Sequence, residues 1–187
     1  MIAGAFALSA AAISPVPPPL PQDVADCRSP TYASDQFVCS NEELLALDRQ
    51  LATLLPVPAV ADDVIFEDQG AWFKRSRLCA FRANQASCLR AAYRERIAVV
   101  GALRRQSLEP PLWQPVKCGR RQTEFAELSH GMISIRWEGR IVLANAATEL
   151  ASWKPFAWAR SSGAKLEVQN LDGLRLRCAT ISRRRPS

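Results

Sequence analysis

The spacing of apolar residues along this chain changes its period part-way. From Ser40 to about Arg105 the period is helical. In "CSNEELLALDRQLATLL", Leu44, Leu47, Leu51 and Leu54 recur at intervals of three and four, forming one stripe on a helix. Ser40 as N-cap with Glu43 three residues on predicts a capping box, and Glu42 and Glu43 suit the positive end of the helix dipole. "PVP" at 56–58 stops the helix, because proline cannot donate within it. A second helix is expected from Asp62 or Asp63 through "ADDVIFEDQGAWFKRSRLCAF", where Ile65, Trp72 and Cys79 stand at heptad spacing. A third follows Ser87 in "SCLRAAYRERIAVVGAL", burying Leu89, Tyr93, Ile97 and Val100. Short connections make consecutive helices antiparallel neighbours, so an antiparallel helical hairpin or three-helix bundle is expected.

Two adjacent prolines in "SLEPPLWQP" mark a boundary, and beyond it the period drops to two. "MISIRWEG" alternates Ile133, Ile135 and Trp137 with Ser134 and Arg136; "EG" turns the chain into "RIVLAN". "KLEVQN" and "GLRLRC" alternate in the same way. Such short strands between Gly, Asn and Asp predict a small antiparallel β sandwich or barrel. The expected fold class is therefore α+β: a leader over 1–22, a helical domain over 26–106, a linker over 107–115, a β domain over 116–182 and a basic tail over 183–187.

Composition enters where it alters this picture. An apolar fraction of 48% excludes wholesale disorder. The first stretch, "MIAGAFALSAAAIS", is an uncharged run of about 14 residues, short of the roughly 20 needed to span a bilayer. It reads as the apolar region of a secretory signal with small-residue cleavage sites in "LSA" and "SAAA", although no positive segment precedes it. A periplasmic or secreted bacterial protein is expected, with no transmembrane segment in the mature chain.

Export changes how the six cysteines are read, since an even number suits an oxidising compartment. Cys79 and Cys88 have eight residues between them and His130 is the single histidine, a spacing that argues against zinc. In an antiparallel hairpin, Cys27, Cys39, Cys79 and Cys88 fall at one end. The expected pairing is Cys39–Cys79 with Cys27–Cys88, and the rival is Cys27–Cys79 with Cys39–Cys88. Cys118 and Cys178 would join the two ends of the β half. Each bridge is worth roughly 2–4 kcal/mol.

The order of blocks in the first half carries a resemblance. "DCRSPTYASDQFVCSNEELLALDRQLATLL", "EDQGAWFKRSRLCA" and "SCLRAAYRERIAVV" resemble the N-terminal domain of the LprI-type lysozyme-inhibitor family over roughly residues 26–103. "PVP" departs from the pattern, since the helix of that family would run on. The second half, a cysteine-closed β-domain with "SSGAKLEV", is similar to MliC-type lysozyme inhibitors. In that family a loop serine and a basic residue enter the lysozyme cleft and meet its catalytic carboxylates. Carried over, the target-binding positions are Ser162, Gly163 and Lys165, with Leu166 where tyrosine would be expected. The resemblances imply an inhibitor acting by occlusion, with lysozyme or another envelope protein as partner and no catalysis of its own.

Other candidates are weaker. Asp48 and Arg49 in "LALDRQL" lie off the leucine stripe, either solvated or bonding to a neighbouring helix, and are assigned a structural role in orienting the hairpin. Trp72 and Tyr93 are expected core anchors. "SWKPFAW" gathers Trp153, Lys154, Phe156 and Trp158 into a candidate partner patch or β-core segment. A nucleophile needs a nearby base, and His130 stands alone beside a glycine. The acids at 42, 43, 62, 63, 67 and 68 already have a helix-dipole explanation. No phosphate loop, metal block or flavin-type signature is present, so no cofactor is expected. Residues 27–107 hold 11 basic and 9 acidic side chains, and residues 108–187 hold 13 and 7. The basic surplus of the β half suits an anionic envelope polymer better than nucleic acid, for which a basic helix face is lacking. The alternative function is thus a scaffold module on an envelope protein, glycan or lipid.

Overall fold

The computed structural model describes residues 22–57, 62–106, 111–128, 131–146 and 152–181; most of the leader, His130 and the basic tail lie outside them. The chain is α+β, with four helices and a closed seven-stranded β-barrel. The helical half comprises α1 (Ala33–Ser40), α2 (Glu42–Leu54), α3 (Gln69–Ser76), a 3₁₀ turn (Arg77–Phe81) and α4 (Gln85–Gln106), with a two-residue strand β1 (Val64–Ile65) between α2 and α3.

Several local expectations change here. The first predicted helix is two. Ser40 ends α1 and turns its hydroxyl back to the Phe37 carbonyl, while extended Asn41 caps α2 by accepting from the Leu44 amide at 3.1 Å. Asparagine meets the same need as the expected serine, an acceptor for an orphan amide, one residue later. The leucine stripe is as the period implies: Leu44 and Leu51 are fully buried, and Leu47 and Leu54 pack on the same core.

The second predicted helix does not start at Asp62 or Asp63. Val64 and Ile65 pair in parallel with Ile141 and Val142, and α3 begins only where Asp68 accepts from the Ala71 amide at 2.8 Å. A two-residue β-branched segment fits an available sheet edge, and no local period reports that edge. α4 starts at Gln85 and carries two apolar faces. Cys88, Leu89, Ala92, Tyr93 and Val100 enter the helical core with Trp72, while Ala98, Val99, Ala102 and Leu103 pack on Met132 and Leu143 of the barrel wall.

The barrel strands are β2 (Gln114–Cys118), β3 (Arg121–Glu127), β4 (Met132–Trp137), β5 (Arg140–Ala146), β6 (Ala157–Ser162), β7 (Lys165–Asn170) and β8 (Arg175–Thr180). Their order round the ring is β5-β4-β3-β2-β8-β7-β6, and β6 returns to β5. Every ring seam is antiparallel except β5–β6. Alternate residues fill the interior: Val116, Phe125, Ile133, Ile135, Val142, Ala144, Ala157, Ala159, Leu166, Val168 and Leu176 form one core. Glu138 and Gly139, with φ of 53° and 77°, make the tight β4–β5 turn, a positive-φ pair suited to the twist of a hairpin.

Three disulfides are present, and the helical pairing differs from both expected arrangements. Cys27 bonds Cys39, Cys79 bonds Cys88, and Cys118 bonds Cys178. The extra helix α1 brings Cys39 back to Cys27, and the reversal at 82–84 folds the 3₁₀ turn onto the start of α4. Each thiol therefore meets its sequence neighbour before it can reach across the helices. Cys118 and Cys178 are direct cross-strand partners on β2 and β8, inside the barrel, with Cα atoms 4.0 Å apart.

Peptide mapping of the non-reduced protein should recover the 27–39, 79–88 and 118–178 linkages and no others. Replacing Cys118 and Cys178 together by alanine frees a 60-residue loop, and denaturant unfolding should register a loss of up to about 4 kcal/mol.

Candidate functional site

On β6, β7 and β8 most inward positions are apolar and most outward ones polar or charged, apart from Ser161, Asn170 and Thr180 on the inner face and Ala179 on the outer. Outward stand Trp158, Arg160 and Ser162 on β6; Lys165, Glu167 and Gln169 on β7; and Arg175 and Arg177 on β8. The register sets them in rows across the wall: Ser162 beside Lys165, Arg160 beside Glu167 beside Arg177, and Trp158 beside Gln169 beside Arg175.

The hairpin joining β6 and β7 projects, for a reason rooted in the sheet. The edge of β5 that does not face β4 carries two parallel partners in turn. β1 takes Ile141 and Val142, and β6 takes Asn145 and Ala146 through Trp158 and Ala159. β6 is thereby displaced towards the end of β5, and Arg160–Ser162 run past it with β7 as their remaining ladder partner. At the tip, Gly163 has φ of 56° and nothing near its missing Cβ, so the turn needs glycine for conformation and not for space. The Thr180 amide donates to the Ala164 carbonyl at 2.8 Å and pins the tip to β8.

Ser162, Gly163 and Lys165 thus stand together, all exposed, on one overhanging hairpin. Two concavities adjoin it. A hollow of about 540 Å³ on the outer wall is lined by Arg160, Ser162, Lys165, Glu167 and Arg177 among others. A cavity of about 370 Å³ at the barrel mouth is lined by Phe125, Glu127, Ser161, Gly163, Lys165 and Leu166 among others. Arg175 and Arg177 reach Glu167 at 3.0 and 3.5 Å, and the hydrogen bond from Arg175 leads in holding the Glu167 carboxyl below its ordinary range.

The remaining sequence candidates are dispersed. Asp48 is buried in the helical half, accepting from the Ala25 amide at 3.0 Å and the Tyr93 hydroxyl at 2.8 Å; burial pushes its carboxyl up. Arg49 is exposed, whereas Trp72 and Tyr93 are buried edge to face with ring centres 5.4 Å apart. "SWKPFAW" is divided. Trp153 is buried in the helical core, and Trp158 lies half-buried on the outer wall with the Lys154 ammonium 4.4 Å from its ring centre. Glu43 pairs with Arg90 and Arg94, Glu67 with Arg75, and Asp68 caps α3. All six cysteines are bonded, and among the described residues no three His, Cys, Asp or Glu side chains converge as a metal site.

One cluster escaped the reading of periods. Where the halves meet, Arg75 forks onto Glu67 at 2.6 and 2.8 Å, lies 3.9 Å over the Trp153 ring and donates to the Lys154 carbonyl. Arg96, almost fully buried, donates to Gln69 and to the Glu67 carbonyl, both at 2.7 Å. Glu95 is buried beside them, and its Oε2 has no hydrogen-bond partner among the described residues. The signal was available: Glu95 and Arg96 fall three residues after Ala92 and Tyr93, on the apolar stripe of α4.

No family model, no curated protein and no solved structure matches the chain.

Burial pushes the Glu95 carboxyl up to about 7, against the pull of Arg75 and Arg96. The folded state then holds the proton more tightly than the unfolded chain, whose ordinary value is 4.5. This contribution to stability is greatest below pH 4.5 and is lost as pH rises through 7. Glu95→Gln should flatten that fall. Relative to the parent, it should gain on the order of 1–3 kcal/mol between pH 5 and 8 in urea unfolding. Asp35 and Asp48, whose carboxyls burial also raises, leave the variant a smaller slope of the same sign.

Proposed function

We propose that this chain is an exported binding protein of the bacterial envelope that inhibits a muramidase by occlusion, with no catalysis of its own. The observation that carries the proposal is the pairing of Ser162 and Lys165 as direct cross-strand neighbours at the tip of an overhanging, exposed hairpin. A muramidase cuts glycan with carboxyl groups at the floor of a cleft. A narrow projection bearing one ammonium and one hydroxyl has the shape to enter that cleft and the charge to meet those acids. In a water-poor cleft such a pair is worth more than on an open surface. Arg160 and Arg177 behind the tip reinforce the positive potential.

The resemblance of residues 26–103 to LprI-type proteins, and of "SSGAKLEV" to MliC-type inhibitors, points the same way. The three disulfides suit an oxidising compartment such as the periplasm. Among the described residues no helix is long and apolar enough to cross a membrane. The formal charge of +6 has a consequence for rate. If the target is cationic the two repel at long range, and association quickens as salt screens the repulsion.

Muramidase turnover with the purified protein, at low and moderate salt, is the test. Inhibition is expected at micromolar concentration or below. Lys165→Glu should weaken it by about tenfold or more through like-charge contact with the cleft acids, Ser162→Ala should weaken it less, and Arg49→Ala should leave it unchanged. Absence of inhibition at micromolar protein removes the proposal.

A further inference from the structure

The outer wall formed by β6, β7, β8 and β2 is unusually one-sided in charge. Its outward positions hold Arg160, Lys165, Arg175, Arg177 and Lys117, and Glu167 is the single acid on these four strands. Lys154, over the Trp158 ring, extends the wall at the side of β6. Glu167 is occupied by Arg175 and Arg177. Arg160, Lys165 and Lys117 have no carboxylate partner among the described residues, and all are exposed. α4 covers the β4–β5 face, so β7, β8 and β2 lie across the ring from the packed side.

The cations are in register as well as numerous. Lys165 stands beside Ala179 on β8, and Arg177 and Arg175 follow at alternate positions along the same strand. Two residues of strand advance about 7 Å, so positive charge recurs at that interval from the hairpin tip towards the β2–β3 turn. Two hollows follow the same line. The first, of about 540 Å³, has Arg160, Ser162, Lys165 and Arg177 on its walls; the second, of about 410 Å³, has Gly119, Trp137, Arg175 and Arg177. Arg177 borders both, and this line of cations with its two flanking hollows makes up the track.

From this placement we infer a second binding site: the β6–β7–β8–β2 wall takes an acidic glycan, a linear sugar chain bearing carboxylate groups at intervals. Guanidinium forks bind such groups in pairs of hydrogen bonds, and Glu167 holds two of the forks in position. Single-stranded nucleic acid fits less well. Its binders stack successive bases on exposed rings, whereas the rings along this track, Trp158 and Trp137, already lie under Lys154 and Arg121. A lipid surface also fits less well. The exposed apolar side chains of the barrel half, Leu112, Leu171 and Ile181, lie in turns and strand ends off the track.

This inference goes beyond the hairpin proposal and does not rest on it. The test uses the full chain with polygalacturonate as probe, neutral dextran as blank and a single-stranded oligonucleotide as competitor. Binding is expected at an ionic strength of about 0.02 M and should fall about tenfold or more by ~0.15 M, as exposed ion pairs are screened. Lys117→Glu with Arg175→Glu removes two cations of the track and spares Ser162, Lys165, Arg160 and Arg177. That variant should lose about tenfold in affinity or more while keeping muramidase inhibition, if inhibition is present. Arg28→Glu with Arg49→Glu makes the same change of net charge away from the wall and should bind as the parent does. Circular dichroism and thermal unfolding establish that both variants fold; should the first fail to, Lys117→Gln with Arg175→Gln takes its place. Equal loss in both variants, tighter binding of the oligonucleotide, or no binding at low salt would each overturn the inference.

Discussion

The geometry of the barrel depends on how one strand edge is shared. β5 gives one side to β4 from Arg140 to Asn145. Its other side carries β1 at Ile141 and Val142 and then β6 at Asn145 and Ala146. A backbone edge left open would expose unpaired amides and carbonyls, so filling this edge near both of its ends is a strong constraint. Because a segment of the helical half occupies the first part, β6 can join only at the end of β5. The displacement closes the ring with a parallel seam and leaves the β6–β7 hairpin overhanging. The feature on which the functional reading rests is thus produced partly by residues 64 and 65, far away in sequence.

The same junction is held by side chains of both kinds. Apolar contact runs from Ala98, Val99, Ala102 and Leu103 of α4 to Met132 and Leu143, and Trp153 crosses the other way into the helical core. Beside them lie Glu67, Arg75, Glu95 and Arg96. Buried charge is a poor source of net stability, since desolvation offsets most of the attraction. Its value here is in direction: the forked pair of Arg75 with Glu67, and the bonds from Arg75 to the Lys154 carbonyl and from Arg96 to Gln69, admit one arrangement of the two halves. A purely apolar joint of small side chains would tolerate sliding.

The local patterns read well where the answer was local. Period-two alternation assigned the inward residues of β4, β7 and β8, and the leucine stripe assigned the buried face of α2. The bridge between Cys118 and Cys178 was expected as a tie between the two ends of the β half, and the structure has it as a direct cross-strand pair on β2 and β8. Failures came where two local solutions competed. Ser40 and Asn41 can each cap a helix, and only the turn between α1 and α2 selects the asparagine. "DDVIF" scans as a helix start, yet a free sheet edge draws Val64 and Ile65 into a strand. The remaining cysteines were matched across a hairpin whose first helix is in fact two, and the break moves Cys39 to Cys27.

From the chain alone come the division into a helical and a β half, the basic character of the second, and the grouping of Ser162, Gly163 and Lys165 in one tight turn. The first two follow from composition and near-neighbour periodicity, which operate over a few residues, and the third from the resemblance of "SSGAKLEV" to a family loop. Only the tertiary structure decides that this turn overhangs, that cations on three strands line up into a track, and that Glu95 and Arg96 are buried. Those outcomes depend on which edges and faces remain free once distant segments have met, a quantity that no window of sequence contains.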